Sequence, residues 1–343
     1  MANPRADILL GYQAAEKFHR QFDTPHRYIG PSGQVDIFGA AADHDVPVMF
    51  RKLNGLLGAY LPDPVPGILI NIDRPQSVQR FTCAHEFGHF CLKHQQSLDD
   101  ESTIGFAYSA SSTNSQSIER QADAFAFSFL MPRWLMNQVV RRLVGAGLVL
   151  PSPVAAYQLS LRLGCSYLAT VLTLENYKML SSVDAAKLKS IEPRKIKSLL
   201  ADGVPVEDWN RDVWVLTKHD ENNAIAAGEK DLFITRISEA STAGYITDTK
   251  GITDAGFTLL HEQIKGSEKS EIIQESIIGE FPAHEAFFQT ELLGTKKFSL
   301  KQGRSWEFEK AQAVLNLEIN SKKREPGLTE EERKSLLKEF SND

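Results

Sequence analysis

Residues His85-Glu86-Phe87-Gly88-His89 place two imidazoles four positions apart with a carboxylate between them. On an α-helix, positions four apart differ by about 40° around the axis and about 6 Å along it. Both histidines therefore leave one helix face and can share one tetrahedral Zn²⁺. Glu86 stands beside that pair, where it can act as general base on a water polarised by the metal and pass the proton to a leaving amine. Two histidines leave a zinc site one protein ligand short. The metzincin spacing would require glycine at position 92 and histidine at 95, and these are Leu92 and Gln95, so that class is excluded. A better source is SIERQADAFAFSFLMP, in which Glu119 and Asp123 are four apart and share a helix face. Glu119 completes a His₂Glu set with one position open to water. Asp123 can accept a hydrogen bond from the outer nitrogen of a ligating histidine.

These side chains need two helices to carry them. RFTCAHEFGHFCLKH (80–94) reads as a helix with Ala84, Phe87 and Cys91 at i, i+3 and i+7. After a polar Ser-rich loop at about 95–116, a second helical pattern runs to Met131 and Pro132. Ahead of them lie a helix near Ile8 to Phe22 and strand-like VPVMFRKL (46–53) and GILINI (67–72), which makes 1–132 a mixed α and β domain. Residues 133–204 read as helical. VAAYQLSLRLGCSYLATVLTLENY within them has the layout of a helix-turn-helix, with Gly164 at the turn and Ser166 as cap. Short β-type runs follow at 213–216, 231–237, 256–261, 295–300 and 313–319, giving an all-β domain over 205–320. The charged tail at 321–343 contains Thr329 and Glu332, a capping box for a short helix. The expected fold class is multidomain α+β.

The chain has 343 residues, 42% of them hydrophobic and 24% charged, which is globular and not disordered. Its net charge of -6 predicts no surface that tracks nucleic-acid phosphates. No apolar run reaches the roughly 20 residues of a membrane helix, and the stretch from Leu56 to Ile72 is broken by Asp63, Pro62, Pro64 and Pro66. The start lacks the layout of a secretory signal. Cys83, Cys91 and Cys165 have no CxxC spacing, so neither a thiolate zinc site nor a disulfide framework is expected. The expected location is cytoplasmic.

GILIN, QRFTCAHEFGHFCLKH and ERQADAFAFSFLMP, in this order over about 60–132, resemble the ImmA/IrrE family of metallopeptidases. The resemblance implies a compact gluzincin fold, zinc on His85, His89 and Glu119, and Glu86 as catalytic base. It implies a cytoplasmic protease that cuts a partner helix-turn-helix repressor and switches on stress, mobile-element or phage-defence genes. The substrate would add a strand to the edge of GILIN, and Tyr108 and His94 are the candidates for stabilising the oxyanion. The would-be recognition helix YLATVLTLENYK has one lysine and no arginine or glutamine, so direct DNA binding is not expected of it. The competing reading is a DNA-binding regulator whose metal site is structural.

The β-rich end resembles chagasin-like cysteine-protease inhibitors, whose three binding loops would correspond to 240–245, 279–283 and 303–306. Ala240 and Ser241 stand where that family has Asn-Pro, Ser305 stands where it has proline before Trp306, and the middle loop lacks its glycine cluster. These departures favour an immunoglobulin-like sandwich that binds a ligand, partner or signal over an inhibitor. Thr242, Gly244, Tyr245, Arg304 and Trp306 are its candidate interaction residues.

Overall fold

A computed structural model describes residues 4–94, 97–100, 114–206, 208–221, 223–239, 243–265, 282–291 and 293–322. The expected tail helix at Thr329 and most of the Ser-rich loop lie outside the described residues. The first half contains α1 (Pro4–Gln21), α2 (Thr24–Arg27), α3 (Ile37–Ala42), β1 (Val48–Arg51), β2 (Leu56–Leu61), β3 (Gly67–Asn71), α4 (Gln76–Leu92), β4 (Ser97–Asp100) and α5 (Asn114–Leu130). It continues as α6 (Arg133–Gly145), α7 (Pro153–Leu163), α8 (Tyr167–Asn176), α9 (Ser182–Lys189) and α10 (Pro193–Ala201).

Gly11, Ala15 and Phe18 recur at helical spacing on α1 and turn one buried face inward, while α4 is buried without interruption from Thr82 to His89. Phe18, Phe87, Phe125 and Phe129 form an aromatic cluster where these helices meet α5. Phe18 to Phe87 is an edge-on contact at 5.5 Å, and Phe125 stacks on Phe129 at 5.4 Å. The same continuous core runs on through Leu135, Val139, Leu159, Val171, Leu188 and Ile196. The helical segment expected separately at 133–204 thus packs into one core with the elements expected at 1–132.

The first sheet has the order β1-β3-β2-β4, with β1 parallel and β2 antiparallel to β3. GILIN is therefore an internal strand and not the edge that the resemblance implied, and the outer strands of this sheet are β1 and β4. The unexpected neighbour is LLGAYL, a run whose central Gly58 and Ala59 have weak strand propensity and hide the strand from a periodicity reading.

His19 of α1 reports how dry this core is. Its Nε2 donates to the Ser128 carbonyl at 3.3 Å and its Nδ1 accepts from the Thr24 hydroxyl at 2.9 Å. Burial pushes its pKa down to about 4, against the opposing pull of its backbone hydrogen bonds. Because the folded value lies below the unfolded one, the stabilisation is whole above about pH 6.5 and drains away as the pH falls toward 4. We predict that metal-free protein loses about 3 kcal/mol through this group between pH 7 and pH 4. Urea titrations of wild type and His19→Phe across that interval check it: equal pH slopes for the two proteins would refute the prediction.

The second half contains β5 (Val213–Leu216), β6 (Ala224–Gly228), β7 (Leu232–Ser238), β8 (Tyr245–Asp248), α11 (Lys250–Asp254), β9 (Thr258–Lys265), β10 (Ala283–Gln289), β11 (Gly294–Arg304) and β12 (Gln312–Lys322). Two four-stranded sheets, β5-β7-β10-β9 and β6-β12-β11-β8, bury Trp214, Phe233 and Phe288 of one against Ile225, Leu300, Leu315 and Leu317 of the other. All five expected β runs are strands. β6, β8 and β10 are additional, and β10 begins at Ala283, where a loop end was expected.

Helix α7 joins the halves. Gln158 accepts from the Val215 amide at 2.9 Å and donates to the Val213 carbonyl at 2.8 Å, so its side chain supplies the ladder bonds missing along the outer strand β5. Arg162 is buried and forks onto both carboxylate oxygens of Asp220 at 2.9 Å. The helix pair α7 and α8 turns at Gly164, and Ser166 caps α8 by accepting from the Ala169 amide, as expected of a helix-turn-helix layout. Its first helix, however, is committed to packing. No helix of the described residues is long and apolar enough to cross a membrane.

Candidate metal centre

Helices α4 and α5 lie side by side and bring His85, His89 and Glu119 together, with one potential ligand atom from each within 4.8 Å of the others. The Nε2 atoms of His85 and His89 are 3.1 Å apart, and Glu119 Oε2 is 3.1 Å from the first and 3.6 Å from the second. Donors held tetrahedrally at about 2.0–2.1 Å from one ion are separated by about 3.3–3.4 Å. The three spacings bracket that value, so the donor set fits a tetrahedral metal with a fourth position left over. Both imidazoles are fully buried and Glu119 is 8% exposed.

Each histidine is oriented from outside. Asp123 Oδ1 accepts from His85 Nδ1 at 2.8 Å, the arrangement expected from the i, i+4 spacing of Glu119 and Asp123. That bond leaves the Nε2 lone pair directed at the donor set. The outer nitrogen of His89 meets His94 Nδ1 at 2.9 Å, and His94 Nε2 donates to Gln121 Oε1 at 3.1 Å. With both ring nitrogens engaged, His94 cannot face an oxyanion as the sequence reading allowed, because the left-handed turn at Lys93 folds it back onto its own helix. Tyr108, the other oxyanion candidate, lies outside the described residues. Gln121 is the neighbour that sequence reasoning missed: it sits two positions from Glu119, off the Glu119–Asp123 face, and has no motif to mark it.

Glu86 is fully buried beside the histidines. A Cβ at position 58 would strike Thr82 and come within 2.9 Å of the Leu69 carbonyl and 3.2 Å of Glu86 Oε1. Glycine is required there so that β2 can pass directly over the helix turn that carries the carboxylate. Cys83 and Cys91 share this helix, and burial pushes both thiols above their ordinary range.

The β-rich half presents its own cluster. Tyr245 and Arg304 are cross-strand partners, and the Arg304 guanidinium lies 5.7 Å from the ring centres of both Tyr245 and Trp306. Trp306 is 65% exposed and lies against Gly244, whose φ of 77° and lack of Cβ leave room for the indole. Four of the five expected interaction residues are therefore adjacent, and Thr242 lies outside the described residues.

Residues 41–170 match the family model of the IrrE N-terminal-like domain, peptidase family M78, a span that includes α4, α5, α6, all of α7 and the start of α8. The match supports a metallopeptidase-type role for this span. No curated protein matches the chain significantly. Among solved structures, the cysteine protease inhibitor EhICP2 from Entamoeba histolytica is similar at 19% identity over 33% of this chain and 97% of its own, with a TM-score of 0.26. Amebosin is similar at 15% identity over 32% of this chain and 98% of its own, with a TM-score of 0.24.

Proposed function

We propose that this chain, with its IrrE N-terminal-like domain at 41–170, is a zinc endopeptidase of the gluzincin type. Its proposed substrate is a cytoplasmic regulatory protein, specifically a helix-turn-helix repressor of stress, mobile-element or phage-defence genes. The observation that carries the reading is the convergence of His85, His89 and Glu119 next to the buried Glu86. Zinc at these donors would polarise the scissile carbonyl and acidify a water. Glu86 takes the proton of the attacking water and delivers it to the amine nitrogen as the peptide bond breaks. Asp123 holds His85 in place throughout, and Tyr108 is kept as the oxyanion donor.

The substrate backbone pairs with the outer edge of β4, the strand next to β2, whose Gly58 lies against Glu86. We read the β-rich half, 205–320, as an immunoglobulin-like, chagasin-like module that senses a ligand or partner through Trp306, Arg304 and Tyr245. The exposed, pre-positioned indole is the type of anchor that dominates binding surfaces. Bonds from Gln158 and Arg162 give that module a route to the peptidase core.

Purified protein is expected to contain about one zinc per chain, as such a site implies. It is expected to cut the repressor encoded beside it at one position, with cleavage stopped by a chelator and restored by zinc. Undiminished cleavage by metal-free protein would overturn the proposal.

A further inference from the structure

The hydrogen bonds around His89 have a direction that follows from which atoms can donate. Asp7 on α1 is 5% exposed and, as a carboxylate, only accepts: from Ser117 Oγ at 2.6 Å, from Arg120 Nη2 at 2.9 Å and from Gln121 Nε2 at 3.1 Å. The Gln121 amide is thereby oriented, with its NH₂ toward Asp7 and its carbonyl Oε1 toward His94. A carbonyl oxygen accepts, so His94 Nε2, 3.1 Å away, carries a hydrogen. A neutral imidazole with hydrogen on Nε2 has an acceptor at Nδ1, so the 2.9 Å contact with His89 Nδ1 requires that His89 be the donor. His89 then has its hydrogen on Nδ1 and its lone pair on Nε2, the atom 3.1 Å from His85 Nε2 and 3.6 Å from Glu119.

We infer that Asp7, Gln121 and His94 form a polarised hydrogen-bond chain that fixes the tautomer and orientation of His89. They are positioning residues that make the second histidine a metal ligand from a helix remote in sequence. His85 meets the carboxylate of Asp123, whereas His89 meets a three-residue chain that ends on α1. The inference rests on the reading of His85, His89 and Glu119 as a zinc site. An isolated imidazole has no such enforced choice of nitrogen, so without the chain His89 would be free to place its hydrogen on Nε2 and aim it at the other donors.

The test measures zinc affinity by chelator competition in the full chain, together with ¹⁵N-histidine spectra of the metal-free protein. His94→Leu is expected to weaken zinc binding about 10–100-fold, the usual cost of losing the outer partner of a ligating histidine. His94→Gln, whose amide can accept from His89 and donate to Gln121, is expected to stay within about threefold of wild type, and Gln121→Leu to fall between the two. In metal-free wild type the His89 hydrogen is expected on Nδ1, and in His94→Leu it is expected to shift toward Nε2. If His94→Leu does not fold, Gln121→Leu carries the test, because it leaves the Asp7–Arg120 pair intact. Wild-type affinity and an unshifted His89 tautomer in the leucine variants would overturn the chain while leaving the zinc site standing, as would a His94→Gln protein as weak as His94→Leu. A wild type that binds no zinc would overturn the proposed function and this inference with it.

Discussion

Glu86→Gln is expected to retain about one zinc per chain and to lose about 10²–10⁴-fold in the rate of substrate cleavage, the usual contribution of a positioned general base. The substitution keeps the size of a side chain that is fully buried and enclosed by β2 at Gly58, so neither packing nor the donor set should move. Only the ability to take a proton is removed. The three donors that surround the metal position belong to other residues, which separates this variant from any that empties the site. Parallel measurement of zinc content and single-turnover cleavage checks the expectation. A variant with near-normal cleavage would move the base elsewhere, and one that lost its zinc would make Glu86 part of the metal's support.

Glu119→Ala acts on the opposite half of the machinery. It removes the one carboxylate donor and leaves two imidazoles with Nε2 atoms 3.1 Å apart, so affinity should drop by more than the about 10–100-fold cost of losing an outer partner. Zinc bound to the native state alone stabilises it by about 4 kcal/mol when free metal is a thousandfold above Kd. That increment should be present in wild type and fall to about 1.4 kcal/mol or less in the variant at the same zinc concentration, because a site more than about a hundredfold weaker leaves the metal at most about tenfold above Kd. Thermal melts with and without zinc read it directly. An undiminished increment in Glu119→Ala would show that another residue, not Glu119, completes the donor set.

Much of this centre was legible before any fold was known, because its chemistry is local. His85 and His89, and separately Glu119 and Asp123, are pairs at i, i+4, and helical periodicity alone places each pair on one face. The two helices and all five expected β runs of the second half were visible for the same reason, since 3.6-residue and two-residue apolar periods are properties of short windows. β2 was not visible: Gly58 and Ala59 break its strand character, and what they supply is close approach to α4, a relation between segments more than twenty positions apart. With β1 on one side and β2 on the other, GILIN is an internal strand and not the edge that the resemblance implied.

Alone, the sequence determined which side chains could ligate, which could act as base, and that Asp123 would stand behind a histidine, because backbone geometry within one helix decides such things. Only the tertiary structure decided how the two helices meet, with donor spacings of 3.1 to 3.6 Å. It also turned His94 away from the open position and onto His89, and placed Asp7 of α1 at the end of that chain. It seated the helix pair around Gly164 in the core and against β5, where Gln158 and Arg162 serve the second half of the chain. The reason is the same in each case: these outcomes depend on contacts between residues far apart in sequence, and periodicity and spacing carry no information about which distant faces come together.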